Sequence, residues 1–278
     1  MSYVRSVDGC RIHYRVTGRA SAPPVLMIQG LGMDKHGWDI QRFVFSLRYR
    51  VIALDNRGAG RSDKPAGDYD LRQMAADAVA VLDDVGVDHA HVVGASMGGA
   101  VAQLLAVLWP ERVRSLTLVC TSCRNQPWRK ELLQSWAWDA QRHGVGAMTG
   151  RAARWVIGPR SFRRIVPVVG WLGPLGFGRS SEAFAGQVRA ILAADDSLSE
   201  LLATIDVPTL VVVGNQDILT PRGDSEELAE LIPTAELVVI SGAAHGLMIE
   251  HATTFNRILG DFLSRAERAH QENVAVAT

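Results

Sequence analysis

Cysteine is scarce in this sequence, with three residues in a chain of 278. Three cysteines cannot all pair within one chain, and a domain of this length does not need disulfides, so we expect a reducing, cytoplasmic location. Cys120 and Cys123 form a C-x-x-C, but Cys120 ends an apolar run that is typical of a buried strand. A redox motif instead begins at a helix N-terminus, and no second Cys/His pair lies nearby for zinc, so neither role is favoured.

An excess of charge and a long apolar run are also absent. The 29 basic residues balance 29 acidic ones, which leaves no global field to attract nucleic acid or an anionic membrane. The most lipid-like stretch, residues 165–178, is interrupted by prolines and glycines and is shorter than the ~20 residues of a spanning helix. No apolar segment follows a basic start at the N-terminus, so no secretion signal is predicted. We expect a small-molecule partner, no nucleic acid, no membrane span, and a monomer or homodimer.

Short apolar runs recur along the chain and predict a parallel sheet, because continuous apolarity is typical of strands covered on both faces. These runs are Val25–Ile28, Val51–Leu54, His91–Gly94, Leu116–Val119, Leu210–Val213 and Leu237–Ile240. Helical periodicity between most of them covers Leu71–Leu82, Met97–Leu108, Glu226–Leu231 and Thr254–Leu263. An Asp8-Gly9 turn between Val4–Val7 and Arg11–Val16 predicts an antiparallel hairpin before them. The fold class is therefore α/β, with a mostly parallel, doubly wound sheet.

One long segment, from Thr121 to about Leu202, contains no convincing strand and is rich in tryptophan and arginine. A largely helical segment between two core strands predicts an inserted helical cap. We expect a core domain of residues 1–122 and 203–278, with the cap at 123–202. The polar tail after Ser264 is expected to fray.

The main chemical signal is the serine in Gly94-Ala95-Ser96-Met97-Gly98, a G-x-S-x-G pattern directly between a predicted strand and helix. A serine on such a tight turn needs small neighbours, and its hydroxyl then projects alone above the sheet edge. Ser96 is therefore the candidate nucleophile. A glycine-rich turn with an ordinary serine is the alternative interpretation.

A serine nucleophile needs a base, and the base needs a carboxylate to orient it. Of eight histidines, His245 follows a late core strand through a short flexible loop and so reaches the sheet edge. Asp217 follows the preceding core strand in the same way. Asp224 and Glu226 are nearby rivals, but both resemble acids of a helix N-terminus.

The oxyanion of an acyl-transfer intermediate needs two N–H donors that already point at it. Met97, next to the nucleophile, is the first candidate. The second is Leu31, in the glycine loop Gln29-Gly30-Leu31-Gly32 that follows the first core strand.

With these features the chain resembles the capped serine branch of the α/β-hydrolase superfamily from Val25 to about Leu263. Three further segments are similar to family motifs, namely Asp55-Asn56-Arg57-Gly58-Ala59-Gly60-Arg61-Ser62, Pro110-Glu111-Arg112-Val113 and Gly242-Ala243-Ala244-His245. The family often has His-Gly where this chain has Gln29-Gly30. The resemblance implies structural roles for Asp55, Arg57 and Ser62. The glycines at 58 and 60 lack the full dinucleotide-binding pattern.

The predicted activity is hydrolysis of a carboxylic ester or lactone, on a small to medium apolar substrate, through a Ser-His-Asp triad and an acyl-enzyme. No metal or organic cofactor is required. Serine at the turn argues against the dehalogenase and epoxide-hydrolase branches, which place aspartate there. Three alternatives stay open: a C–C hydrolase of ring-cleavage products, a cofactor-free perhydrolase or haloperoxidase, and a non-hydrolytic receptor. An intact triad argues against a receptor.

Five residues are candidate substrate contacts: Gly30, His36, Trp38, Trp128 and Trp136. For His36 and Trp38, packing at the surface or in the core is as good an interpretation as contact with the substrate. The two candidate tryptophans of the predicted cap, Trp128 and Trp136, are equally suited to packing the cap itself. The arginines of the predicted cap have two interpretations, an anionic substrate or a solvated face. They include Arg124, Arg129, Arg151, Arg154, Arg160, Arg163 and Arg164.

Overall fold

The computed structural model describes residues 2–161, 180–194 and 198–277, with side chains as far as residue 272. The stretch 165–178, Arg163 and Arg164 therefore lie outside the described residues. Within the described part, no helix has the length and apolar character needed to span a bilayer.

Eight strands form one sheet in the order β1-β2-β4-β3-β5-β6-β7-β8. They are β1 Ser2–Arg5, β2 Arg11–Thr17, β3 Pro24–Ile28, β4 Arg50–Leu54, β5 Ala90–Ala95, β6 Val113–Val119, β7 Thr209–Gly214 and β8 Ala235–Ile240. The hairpin of β1 and β2 is antiparallel, β2 pairs antiparallel with β4, and the remaining pairs are parallel. The predicted mostly parallel sheet and its opening hairpin are confirmed.

Helices cover both faces of this sheet. They are α1 Asp39–Phe45, α2 Leu71–Val85, α3 Met97–Leu108, α4 Pro127–His143, α5 Val145–Val156, α6 Ser181–Ala193, α7 Leu198–Leu201, α8 Arg222–Leu231, α9 Leu247–Glu250 and α10 Ala252–Ala277. Side chains of α2, α3 and α8 form one apolar cluster with one face of the sheet. Side chains of α1 and α10 form the second cluster, on the other face. Because both faces are covered, the central strands are buried along their whole length, which explains their continuous apolar runs.

Helices α4, α5, α6 and α7 all lie between β6 and β7, where the sequence predicts a cap. Side chains of α4, α5 and α6, among them Trp136, Met148 and Phe184, form a third apolar cluster that includes Leu219 of the core. We call α4, α5 and α6 the cap helices. The domain boundaries at 122/123 and 202/203 stay a prediction.

The C-terminal tail differs from the expectation that it frays after Ser264, since α10 continues to Ala277. Ala266 is buried against the core. Glu267, one residue later, forms ion pairs with His91 of β5 and Arg114 of β6. These contacts come from strands far away in sequence, so the local polarity of the tail gave no sign of them.

Candidate active site

Ser96 occupies the tight turn between β5 and α3, with backbone angles of φ 53° and ψ −123°. Positive φ is uncommon for a residue with a side chain and persists where the surroundings enforce it. A Cβ atom at Gly98 would lie 2.3 Å from the carbonyl oxygen of Ile28, and one at Gly94 would lie 2.3 Å from that of Gly98. The helix and strand therefore approach too closely for any residue larger than glycine, and the serine side chain projects from the turn, as G-x-S-x-G predicts.

His245 and Asp217 lie in the loops that follow β8 and β7, and both are buried. The Nδ1 atom of His245 lies 2.9 Å from Oδ2 of Asp217. A carboxylate can only accept a hydrogen bond, so this contact places the imidazole proton on Nδ1 and leaves Nε2 as the basic nitrogen.

Asp217 is held in place by its own loop. Its Oδ1 accepts hydrogen bonds from the N–H groups of Leu219 and Thr220, each at 2.9 Å. Its Oδ2 accepts one from the Thr220 hydroxyl at 2.8 Å, and that hydroxyl also lies 3.2 Å from Nδ1 of His245. Burial alone would raise the pKa of Asp217, but His245 and the Thr220 hydrogen bonds outweigh it and lower the pKa. The carboxylate is therefore ionised near neutral pH.

The two rival acids have other partners. Asp224 is buried and pairs with Arg129 of cap helix α4. Glu226 is partly exposed and pairs with Arg222, four residues earlier on the same helix. Among the described contacts, the carboxylate that lies within hydrogen-bonding distance of His245 is that of Asp217 and not that of either rival.

The loop after β3 lies directly beside the nucleophile. A Cβ atom at Gly30 would be 3.0 Å from the Cβ of Ser96 and 3.6 Å from its Oγ. This close approach explains the glycine, and it places the loop that carries Leu31, the second predicted oxyanion donor, next to the serine.

Most N–H groups of this loop are already occupied. Gly30 donates to the side-chain oxygen of Gln29 at 2.8 Å, Gly32 donates to that of Gln187 at 2.8 Å, and Met33 donates to the Gly30 carbonyl at 3.3 Å. Within the described ranges, no hydrogen bond from the N–H of Leu31 or Met97 is present. Both predicted oxyanion donors are therefore without a partner among the described residues.

A cavity of about 800 Å³ lies above these residues and includes Ser96, Leu31, Met97 and His245 in its wall. Most of its other wall residues are apolar and come from the cap helices and nearby loops. They include Met33, Leu71, Leu133, Trp136, Met148, Phe184, Ile191, Leu219 and Met248. A mostly apolar concave site with a few polar groups at one end is typical of a small-molecule binding site.

The predicted substrate contacts fall into two groups. Gly30, His36 and Trp136 line the cavity. Trp38 does not, because it is fully buried in the core, where its ring stacks on Phe255; the prediction for Trp38 is corrected. Trp128 is also outside the cavity wall, since it is partly exposed and stacks on Trp155. One helical turn at residues 35–38 directs Trp38 to the core, a direction that sequence spacing does not reveal.

The arginines predicted in the cap give little support to an anionic substrate. Arg124 and Arg129 line the cavity, but they form ion pairs with Glu227 and Asp224. Arg151 pairs with Asp139. Among the described wall residues, each arginine thus already has an acidic partner, and the solvated or structural interpretation is favoured.

Two polar residues that the sequence did not single out contribute to the site. Thr220 contacts both Asp217 and His245, and its position three residues after the aspartate was the available signal. Gln187 of cap helix α6 contacts the loop after β3, residues 29–32, which we call the oxyanion loop because it carries the predicted donor Leu31. No sequence signal links residues 155 positions apart.

A thiol lies beside the acid and the base. Ligand atoms of Cys120, Asp217 and His245 are all within 4.8 Å of one another, the spacing of a possible metal site. Burial raises the pKa of the Cys120 thiol well above its usual range, and the other two side chains are hydrogen-bonded to each other. The hydrogen bond between Asp217 and His245 accounts for two of the three side chains, so the arrangement is that of a histidine–carboxylate pair with a buried thiol neighbour.

Comparisons with known proteins agree with this geometry. The sequence model of the family described as "alpha/beta hydrolase fold" matches residues 23–143 and 172–252. A protein of Azorhizobium caulinodans named "Putative carbamate hydrolase RutD" is 29% identical over 270 residues, which are 96% of this chain and 100% of the relative. The 3-oxoadipate enol-lactonase 2 of Acinetobacter baylyi is 29% identical over 260 residues, 91% of this chain and 93% of the relative. The crystal structure of the enol-lactonase from Burkholderia xenovorans LB400 has a TM-score of 0.88 at 29% identity, covering 95% of this chain and all of that one.

Proposed function

The chain belongs to the α/β-hydrolase fold family, and on this basis we propose that it is a serine hydrolase that cleaves a carboxylic ester or lactone. Ser96 is the nucleophile, His245 the general base and Asp217 the acid that orients the base. The observation that carries the proposal is the buried contact of 2.9 Å between Asp217 and His245, where His245 shares one cavity wall with a serine held at positive φ. The enol-lactonase relatives support the same class of bond.

The reaction takes place in two acyl transfers. Nε2 of His245 accepts the Ser96 proton as Oγ attacks the carbonyl carbon, and Asp217 stabilises the imidazolium that forms. The N–H groups of Leu31 and Met97 donate to the oxyanion, and His245 then protonates the leaving alcohol. Water attacks the acyl-enzyme by the same route and releases the acid.

The cavity wall supports a small to medium apolar acyl group. Its volume of about 800 Å³ lies within the usual range for small-molecule sites. The two arginines of its described wall are already paired with acids, so a carboxylate on the substrate would lose hydration without gaining an unpaired cation. We therefore expect a neutral acyl ester to have a higher kcat/KM than its counterpart with a terminal carboxylate.

The first experiment combines fluorophosphonate labelling with hydrolysis of 4-nitrophenyl esters of rising acyl length. Ser96→Ala is compared with the wild type and with Ser135→Ala, which alters an exposed serine on cap helix α4. We expect Ser96→Ala to lose all labelling and about 10⁴-fold or more of kcat, and Ser135→Ala to lose neither.

Other outcomes would lead to different functions. A folded wild type that does not label would overturn the serine-hydrolase proposal and favour a receptor. Labelling without ester turnover would point to C–C cleavage, and turnover of peroxide with acetate or halide would point to a perhydrolase. A preference for carbamates over esters would place the chain closer to the relative named for that activity.

A further inference from the structure

Gln187 is a fully buried glutamine on cap helix α6, and both ends of its amide are used. Its Oε1 accepts a hydrogen bond from the N–H of Gly32 at 2.8 Å. Its Nε2 donates to the carbonyl oxygen of Arg57 at 2.8 Å. A buried amide with both ends satisfied is a specific connector, because losing either partner leaves a polar group without water.

The Gly32 end of this connection lies in the loop that carries the proposed oxyanion donor. Leu31 lies between Gly30, whose N–H is held by Gln29, and Gly32, whose N–H is held by Gln187. Gly32 has a φ of 71°, a conformation that glycine adopts readily and that does not by itself fix the loop. With an N–H group held on each side of Leu31, the loop has fewer ways to turn the N–H of Leu31.

The Arg57 end lies on a rigid part of the core. The Arg57 guanidinium is buried and donates to Asp77 at 2.7 Å and to Asp8 at 2.8 Å. These two carboxylates hold the backbone of Arg57 in place beneath the cap. Gln187 thus joins the oxyanion loop to a fixed point, and the connection exists only when α6 is seated on the core.

We propose that Gln187 is a positioning residue that directs the Leu31 N–H toward the oxyanion and makes catalysis depend on the seating of α6. The inference rests on the proposed serine-hydrolase function. It implies that closing the cap completes the oxyanion site, whereas the hydrogen bonds described for the Asp217 side chain all come from core residues.

Gln187→Met tests the proposal, since methionine has a similar length and lacks both hydrogen-bonding groups. We expect kcat for a 4-nitrophenyl ester to fall about 10- to 100-fold with KM changed less than threefold, because the lost interaction acts on the transition state. The affinity for a trifluoromethyl ketone, which forms an oxyanion on Ser96, falls by the same factor as kcat/KM. The affinity for the corresponding unreactive amide stays the same.

Gln41→Met is the matched control for the loss of a buried glutamine. Gln41 is also fully buried, and its amide donates to the carbonyl of Met248 at 2.8 Å and to Asn256 at 3.0 Å. We expect a comparable loss of thermal stability, without selective loss of affinity for the trifluoromethyl ketone.

A Gln187→Met enzyme with kcat within twofold of the wild type, or with equal losses for the ketone and the amide, would overturn the positioning role. Failure of the proposed function is distinguishable, because the wild type itself would then form no adduct with the fluorophosphonate.

Discussion

Two sides of the candidate site are held in different ways. The described hydrogen bonds of the Asp217 carboxylate all come from loops of the sheet, namely from its own loop and from the histidine of the next. The cap residues Arg129 and Val156 form hydrogen bonds with these loops only at the loop backbone. The oxyanion loop is bound partly by Gln187 of the cap. The partners of the proposed acid and base are thus core residues, whereas the loop proposed to stabilise the transition state takes one of its side-chain hydrogen bonds from the cap.

The wall of the cavity is also formed by both the core and the cap helices. The wall includes Ser96 and His245 of the core, and part of its apolar surface comes from Trp136, Met148 and Phe184 of the cap helices. A change in the cap is therefore expected to alter which acyl groups fit, while a change on the core side alters the rate for every substrate.

The largest effect is expected on the core side, from Asp217→Asn. Asparagine retains a side-chain oxygen for the N–H groups of Leu219 and Thr220, but it no longer favours the Nδ1 proton or the charged imidazolium of His245. We expect kcat to fall about 10³- to 10⁴-fold with the fold intact, as measured by ester hydrolysis and circular dichroism. If Asp224→Asn were to cause this loss while Asp217→Asn did not, Asp224 would be the acid and the division above would be wrong.

A smaller effect is expected on the oxyanion side, from Gly30→Ala. The added Cβ would lie 3.0 Å from the Cβ of Ser96, so the loop or the serine must shift by a few tenths of an ångström. We expect kcat to fall about 10²-fold, in the range seen for loss of one oxyanion donor. Gly223→Ala on α8 is the control, because a Cβ there meets nothing within 4 Å. Equal kinetics for the two variants would show that the loop after β3 does not act on the oxyanion.

The smallest effect on catalysis is expected from Glu267→Gln, which alters the core far from the cap. Burial raises the pKa of Glu267, but hydrogen bonding to His91 and the charge of Arg114 outweigh it and lower the pKa from 4.5 to about 2. The ionised form is thus favoured in the folded state. Its contribution to stability is present above about pH 4.5 and is lost as the pH falls toward about 2.

Thermal unfolding between pH 3 and 7 measures this contribution. We expect Glu267→Gln to have a lower Tm than the wild type at pH 7, a difference that shrinks below about pH 4.5, and an unchanged kcat at pH 7. Glu272→Gln, on the exposed side of the same helix, should follow the wild type throughout. A difference in Tm that does not depend on pH would mean that His91 and Arg114 do not favour the ionised form of Glu267.

The fold was largely predictable because its signals are local. Each buried parallel strand is a continuous apolar run, and six such runs correspond to β3–β8 with ends shifted by at most a few residues. The glycines around Ser96 are likewise a local consequence of a tight turn. The prediction of a frayed tail was wrong because the partners of Glu267 lie on β5 and β6, out of reach of a local pattern.

The direction in which a side chain points was harder to predict than the segment on which the side chain lies. Trp38 and Trp128 lie near cavity residues in the sequence, yet one packs into the core and the other against Trp155 at the surface. His36, two residues before Trp38, does line the cavity. The side of a short helical turn that faces a cavity depends on the packing around it, which is a property of the whole fold.

The sequence by itself determined the sheet, the turn that carries Ser96, and the strand ends at which Asp217 and His245 lie, because hydrophobic periodicity and glycine placement act over a few residues. Three features needed the packed structure: the hydrogen bonds of Thr220 to Asp217 and His245, the acidic partners of the cavity arginines, and the link that Gln187 makes between the cap and the loop after β3. Except for the contact of Thr220 with Asp217, these are hydrogen bonds and ion pairs between residues far apart in sequence, and such pairs form only after the chain has packed.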